Sequence, residues 1–143
     1  MALSPYTSAA RYIATGGLSW VADVYHLILL TNTYTFSAAH DFRDDLTNEV
    51  TGTGYTAGGL ALDNKTASSA NPSVLTADDE VVAQNGAGFA TARKYVLAEI
   101  TGGSVATPAD DPLLYYGAAG ADFGNVAGAL TLDVPASFIT ITA

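Results

Sequence analysis

The chain has 143 residues, no cysteine, only 13% charged residues and a net charge of −9. The absence of cysteine excludes disulfides, thiolate metal sites and cysteine nucleophiles together. Five basic residues (Arg11, Arg43, Lys65, Arg93 and Lys94) cannot supply the clustered positive charge that phosphate backbones require, so no nucleic-acid partner is expected.

One domain spanning residues 1–143 is expected at this length, and it can bury about two-thirds of its extended surface without covalent staples. A weakly charged surface rich in Ala, Gly, Ser and Thr suits a protein packed against neighbours. The longest apolar run, Leu27–Leu30, is far shorter than the roughly 20 residues of a membrane span. The start, Met1-Ala2-Leu3-Ser4-Pro5, has neither a basic opening nor an apolar block, which argues against a secretory signal and for assembly in the cytoplasm.

In chain order, Ser4-Pro5 followed by residues 8–15 predicts a short N-terminal helix, capped by Ser4 and stopped by Gly16-Gly17. Trp20–Thr31 crowds apolar residues so densely that a central strand buried on both faces is expected. Ser37–Leu46 reads as a short helical excursion with Phe42 and Leu46 on one side. Further strands are expected at Glu49–Thr51, Gly59–Thr66, Val74–Thr76, Phe89–Thr101, Leu113–Tyr116, Ala129–Val134 and Phe138–Thr142. Asn71-Pro72, Thr107-Pro108, Asp111-Pro112 and Val134-Pro135 mark turns between them. The pattern predicts an all-β fold, a single β-sandwich or jelly-roll-like domain with a short N-terminal helix.

The block Asn48-Glu49-Val50-Thr51-Gly52-Thr53-Gly54-Tyr55-Thr56-Ala57-Gly58-Gly59 stands apart. It holds four glycines among residues that favour extended chain, and Glu49 is its only ionisable carboxylate, so its role is read as backbone shape rather than chemistry. It is not a phosphate cradle, because no Gly-Lys-Ser/Thr and no helical pattern follow.

Candidate chemistry elsewhere is sparse. His26, inside the most apolar strand, reads as a ring hydrogen-bonded to backbone. His40 is followed by Asp41, Asp44 and Asp45 without the acid spacing of a calcium loop, so capping and loop hydrogen bonding are expected. Ser37, His40 and Asp41 are too close in sequence to form a nucleophile, base and orienting acid. Asp78-Asp79-Glu80 reads as a solvated turn and Asp110-Asp111-Pro112 as a turn signature. No catalytic, cofactor-binding or metal-binding residue is assigned, and no enzyme activity is expected. Eight tyrosines, among them Tyr34, Tyr55, Tyr95 and the adjacent Tyr115-Tyr116, exceed what a small core can enclose with every hydroxyl paired, so some are expected at an interface.

Residues Leu27–Thr35, His40-Asp41-Phe42, Asp45 and the 48–59 block together resemble a family of small virion proteins of tailed bacteriophages. Ala77-Asp78-Asp79, residues 92–96 and the closing run Phe138–Thr142 occupy positions where that family carries similar residues. The chain departs from the pattern at Tyr25-His26, at Val81-Val82-Ala83-Gln84 and in the longer stretch Gly102–Ala121. The resemblance implies a structural protein on the outside of the capsid, a decoration or cement protein that binds the major capsid protein where its subunits meet and self-associates as a homo-oligomer. A cement protein multiplies modest contacts by copy number. Edge strands, the stretch Met1–Gly17 and the loop Gly102–Leu114 are the candidates for reaching a neighbour's sheet. Two alternatives remain: a tail or fibre-base component, and a carbohydrate-binding β module with Trp20 or Tyr115-Tyr116 as an exposed stacking platform.

Overall fold

Two stretches with few polar interruptions, Tyr25–Thr31 and Ala92–Glu99, lie side by side at the centre of the molecule. The structure, a computed structural model, describes residues 3–69, 73–134 and 139–141. The elements are β1 (Ser4–Pro5), α1 (Thr7–Ala14), β2 (Tyr25–Thr31), β3 (Leu60–Ala61), β4 (Thr66–Ala67), β5 (Ser73–Thr76), β6 (Glu80–Val82), β7 (Ala92–Glu99), β8 (Leu113–Phe123), β9 (Leu130–Leu132) and β10 (Ile139–Ile141). The principal sheet is antiparallel with strand order β1-β8-β7-β2-β3, and two smaller sheets run β10-β5-β4 and β6-β9. The all-β fold with a short N-terminal helix expected from the sequence is the fold this chain adopts.

Side-chain alternation explains why β2 is apolar at nearly every position. Leu27 and Leu29 pair with Leu97 and Tyr95 and face one layer, which contains Val50, Tyr55, Leu62, Val82, Phe89 and Val134. Ile28 and Leu30 face the other way with Val96 and meet Tyr6, Tyr34 and Leu113. Both faces are covered, so neither can be polar. Ile28, Leu29 and Leu30 are fully buried, and each contributes about 1.5–3 kcal/mol of transfer free energy.

Several expectations are corrected. Ser4 does not cap the helix: Ser4 and Pro5 pair with Tyr116 and Tyr115 as edge strand β1, which suits a proline with no amide to donate. The helix begins at Thr7, and it does stop at glycine, with Gly16 at φ 67° and the Gly17 amide on the Tyr12 carbonyl. Trp20–Val24 is outside the strand, because the Asp23 carboxylate accepts the Ser19 amide at 2.5 Å and folds that stretch into a turn. The excursion at Ser37–Leu46 contracts to a 3₁₀ turn at Arg43–Asp45. Glu49–Thr51 makes one bridge, Leu30 to Glu49, instead of a strand, and Gly59–Thr66 yields only β3 and the first residue of β4.

Two strands exceed expectation. Glu80–Val82 pairs with β9, and β8 runs on to Phe123 through an Ala/Gly stretch with poor intrinsic β preference. Pairing with β7 overrides that preference, and Gly117 is small because the Tyr95 ring lies where its side chain would be. Asn71-Pro72, Pro135, Phe138 and Thr142 lie outside the described residues.

Candidate functional site

The 48–59 block runs along the outer side of β2 and continues into β3. The Thr31 amide donates to the Asn48 carbonyl at 2.9 Å and the Val50 amide to the Leu29 carbonyl at 3.0 Å. Farther on, His26 and Leu27 pair with Ala61 and Leu60, and the Leu62 amide donates to the Tyr25 carbonyl at 2.8 Å. Between these contacts the loop leaves the sheet, and a side chain replaces backbone. The buried Tyr55 hydroxyl accepts the Leu29 amide at 3.0 Å and donates to Glu49 Oε1 at 2.6 Å. The same carboxylate oxygen accepts the Gly58 amide at 2.7 Å. Burial and the neighbouring Glu49 charge push the Tyr55 hydroxyl well above its ordinary range, so it stays protonated and able to donate.

Glycine is required here by two separate constraints. Gly59 has φ 92°, and a Cβ on it would lie 2.8 Å from the Leu27 carbonyl oxygen. Gly54 has φ 93°, and its Cβ would lie 2.8 Å from Asn125 Nδ2. Any other residue would combine left-handed strain with displacement of neighbouring groups.

Asn125 is fully buried and fixes the far end of the block. Its Nδ2 donates to Thr53 O at 3.0 Å and Ala83 O at 2.9 Å, and its Oδ1 accepts the Phe89 amide at 2.9 Å. One amide side chain therefore joins three loops.

The residues singled out from sequence are dispersed. His26 Nδ1 donates to the Gly58 carbonyl at 2.7 Å, the backbone role expected of it. His40 meets neither Ser37 Oγ nor the Asp41 carboxylate; its Nδ1 is 3.0 Å from the Tyr34 hydroxyl, which is 3.0 Å from that of Tyr6. Asp45 Oδ2 accepts the Asp41 and Phe42 amides, a capping role. The acids at 78–80 diverge: Asp78 accepts from Asn64 Nδ2, Asp79 from the Val134 amide, and Glu80 from the Asp63 amide. Among the described residues no group of three or more His, Asp or Glu is placed to hold a metal ion.

Asp111 is more than the turn residue its sequence context indicated. It is fully buried, with Oδ2 2.8 Å from Arg43 Nε and Oδ1 accepting the Thr101 amide at 2.9 Å. Arg43 also donates to the Val105 carbonyl. The loop Gly102–Leu114 is thus held against residues 41–43, where the Leu113 amide also reaches the Asp41 carbonyl. Residues 4–14 are likewise folded against the sheet, with Tyr6 buried and its amide on the Leu114 carbonyl. Both candidate arms are thus anchored to the fold, while most of residues 102–110 stay exposed to solvent.

The tyrosines fall mainly inside. Tyr6, Tyr25, Tyr34, Tyr55 and Tyr95 are buried, whereas Tyr12, Tyr115 and Tyr116 are partly exposed. Trp20 is no surface platform: its ring packs 4.8 Å from that of Tyr25 and its Nε1 donates to the Thr76 carbonyl. Tyr115 and Tyr116 face opposite sides of β8, Tyr116 stacking on Phe36 at 4.6 Å. Comparison with family models, curated proteins and solved structures found no match for this chain.

Proposed function

We propose that this chain is a structural component of a tailed-phage virion, and specifically a decoration protein that grips the outer capsid surface at junctions of the major capsid protein. The observation that carries this reading is how the 48–59 block uses its groups. Glu49, Tyr55 and the glycines, the part of the chain that most resembles the virion family, serve to fix the chain's own sheet. A rigid scaffold with few charges suits adhesion, where affinity per copy is modest and symmetry multiplies it. Exposed Ile13, Val21, Val24, Val81, Val105 and Val126 supply apolar contact points beyond the core. The net charge of −9 favours a basic rim on the partner, which makes attachment salt-dependent.

The test is rebinding. Purified chain added to capsids stripped of their decoration should bind at a fixed ratio per capsomer, raise the temperature at which the shells rupture, and dissociate as salt is raised. Localisation to the tail in images of the intact particle would replace this reading with the tail-component one. Failure to bind any part of the particle would reject both. The carbohydrate-binding alternative loses its platform, since Trp20 is buried and the two adjacent tyrosines do not share a face.

A further inference from the structure

The chain has six asparagines, and the residue after each decides how readily its side chain can close a ring on the backbone. Asn32, Asn48, Asn64 and Asn125 precede Thr33, Glu49, Lys65 and Val126, whose side chains crowd the attacking nitrogen. Asn71 precedes Pro72, which has no amide hydrogen to give up. Only Asn85 precedes a glycine. Asparagine is thermally labile because the following backbone amide can attack its carboxamide, and glycine leaves that approach open.

Local geometry favours the same reaction. The Ala87 amide donates to Asn85 Oδ1 at 2.9 Å. The ring closed by this bond contains both Asn85 Cγ and Gly86 N, so the carboxamide is folded over the peptide unit that attacks it. The same N–H polarises the carboxamide carbonyl and is placed to stabilise the oxyanion that attack creates. Gly86 and Ala87 are exposed, and a Cβ on Gly86 would meet nothing within 4 Å. Among the described residues the Gly86 amide has no hydrogen-bond partner, so nothing has to be broken to free it. Asn125 is the opposite case, fully buried with both ends of its amide bonded.

We propose that Asn85-Gly86 is a site of spontaneous deamidation through a cyclic imide, and that isoaspartate formed there loosens the far end of the 48–59 block. Gly86 N gives its proton to solvent base and bonds to Asn85 Cγ. The Cγ–Nδ2 bond breaks, and ammonia leaves with a proton taken from water. Water then opens the imide. Cleavage between Gly86 N and Cγ gives aspartate, and cleavage between Gly86 N and the main-chain carbonyl carbon gives isoaspartate. Isoaspartate adds one atom to the main chain between Asn85 Cα and Gly86 N. Both ends of that turn are held: the Asn85 amide donates to the Asn125 carbonyl at 2.9 Å, and the Ala87 carbonyl accepts the Thr53 amide at 3.1 Å. Gly88 leaves no slack, since a Cβ on Gly52 would lie 2.6 Å from its carbonyl carbon. The longer turn therefore gives up its hold on Thr53. This inference does not depend on where in a virion the chain resides.

The experiment incubates the full chain in mildly alkaline buffer and follows every asparagine by peptide mapping, with isoaspartate identified by enzymatic methylation. Asn85 should convert ahead of the other five, and isoaspartate, which forms only through the imide, should be among its products. The folded chain should react at least as fast as the same chain in guanidinium chloride, because only the fold places the Ala87 N–H. Gly86→Ala should retain the fold and slow conversion at least about tenfold, or about 1.4 kcal/mol on the barrier. In the purified isoaspartate form, hydrogen exchange at the Thr53 amide should accelerate while exchange at Val96 does not. Conversion of another asparagine first, or aspartate as the sole product, would overturn the site. A much slower folded than unfolded reaction, or an undiminished rate in Gly86→Ala, would overturn the geometric argument. Unchanged exchange at Thr53 would overturn the loosening.

Discussion

Along the outer side of β2, groups from Tyr25 to Thr31 meet partners drawn from residues 48–62. Along the outer side of β8, β1 and the Tyr6 amide cover residues 114–116, and among the described residues no strand continues past that point. An unpaired edge is a template for unwanted strand addition, and the two edges avoid it differently. The β2 edge is occupied by a loop fitted to it, with a tyrosine hydroxyl standing in for a missing carbonyl. The β8 edge is distorted. Lys94 pairs with Ala118 and Ala92 with Phe123, so four residues, Ala119–Asp122, face Arg93 alone. Arg93 fills the bulge, donating to Gly120 O at 3.0 Å and Asp122 Oδ1 at 3.3 Å. A long bulge breaks the flat register that an incoming strand needs. The contrast teaches that protection by fit makes every residue specific, whereas protection by distortion tolerates small and featureless ones.

Substitution of glycine is the harshest way to break this contrast. Gly59→Ala on the fitted edge should cost about 3 kcal/mol, from positive-φ strain added to its clash with Leu27. Gly120→Ala on the distorted edge, where an added Cβ meets nothing within 4 Å, should change stability by no more than about 0.5 kcal/mol. Urea denaturation of both variants measures the gap, and equal losses would refute the comparison. Tyr55→Phe should cost about 2 kcal/mol, because it leaves the Leu29 amide without its acceptor. Hydrogen exchange at Leu29 should accelerate in that variant while exchange at Val96 follows only the change in global stability.

Removing the Arg93 side chain tests the other edge. Its ion pair is substantially exposed, so Arg93→Ala should lower stability by only about 0.5 kcal/mol. Its larger consequence should be faster concentration-dependent association, read by light scattering, as the bulge loses its filler.

The smallest lever is pH, acting at Glu99, the last residue of β7, between the two edges. Burial raises its carboxyl above the ordinary range, with the Asp23 and Asp111 charges adding to the effect. The folded state therefore holds this proton more tightly than the unfolded chain does. Its contribution to stability is present below the ordinary glutamate range and is lost as pH rises through the elevated folded value. Glu99→Gln should flatten that decline in denaturation experiments across weakly acid solution, and an unchanged slope would count against it.

The fitted edge was the more legible of the two. Alternation and crowding marked β2 and much of β7, Gly16-Gly17 marked the helix stop, and the composition of 48–59 marked a backbone-shaping element with His26 tied to backbone nearby. Long-range partners were hidden. Asp111 resembles any acid before proline, because the arginine that pairs with it is 68 residues away. Asn125 carries no local signal, since its partners lie near residues 53, 83 and 89. The second half of β8 is tied to β7 only at Gly117, Ala118 and Phe123, a long-range pairing that its Ala/Gly residues do not signal, and Trp20–Val24 shows the reverse, apolar residues bent by one aspartate.

The pairing of Ser4-Pro5 with Tyr115-Tyr116 has a kinetic consequence. Ser4 and Pro5 have their sheet partners more than a hundred positions downstream, so β1 can dock only after Tyr115 and Tyr116 have been synthesised. Closing so large a loop makes that step slow and late. A nascent chain stalled before residue 113 should therefore leave β1 open to protease, and protection should arise once translation has carried β8 clear of the exit tunnel.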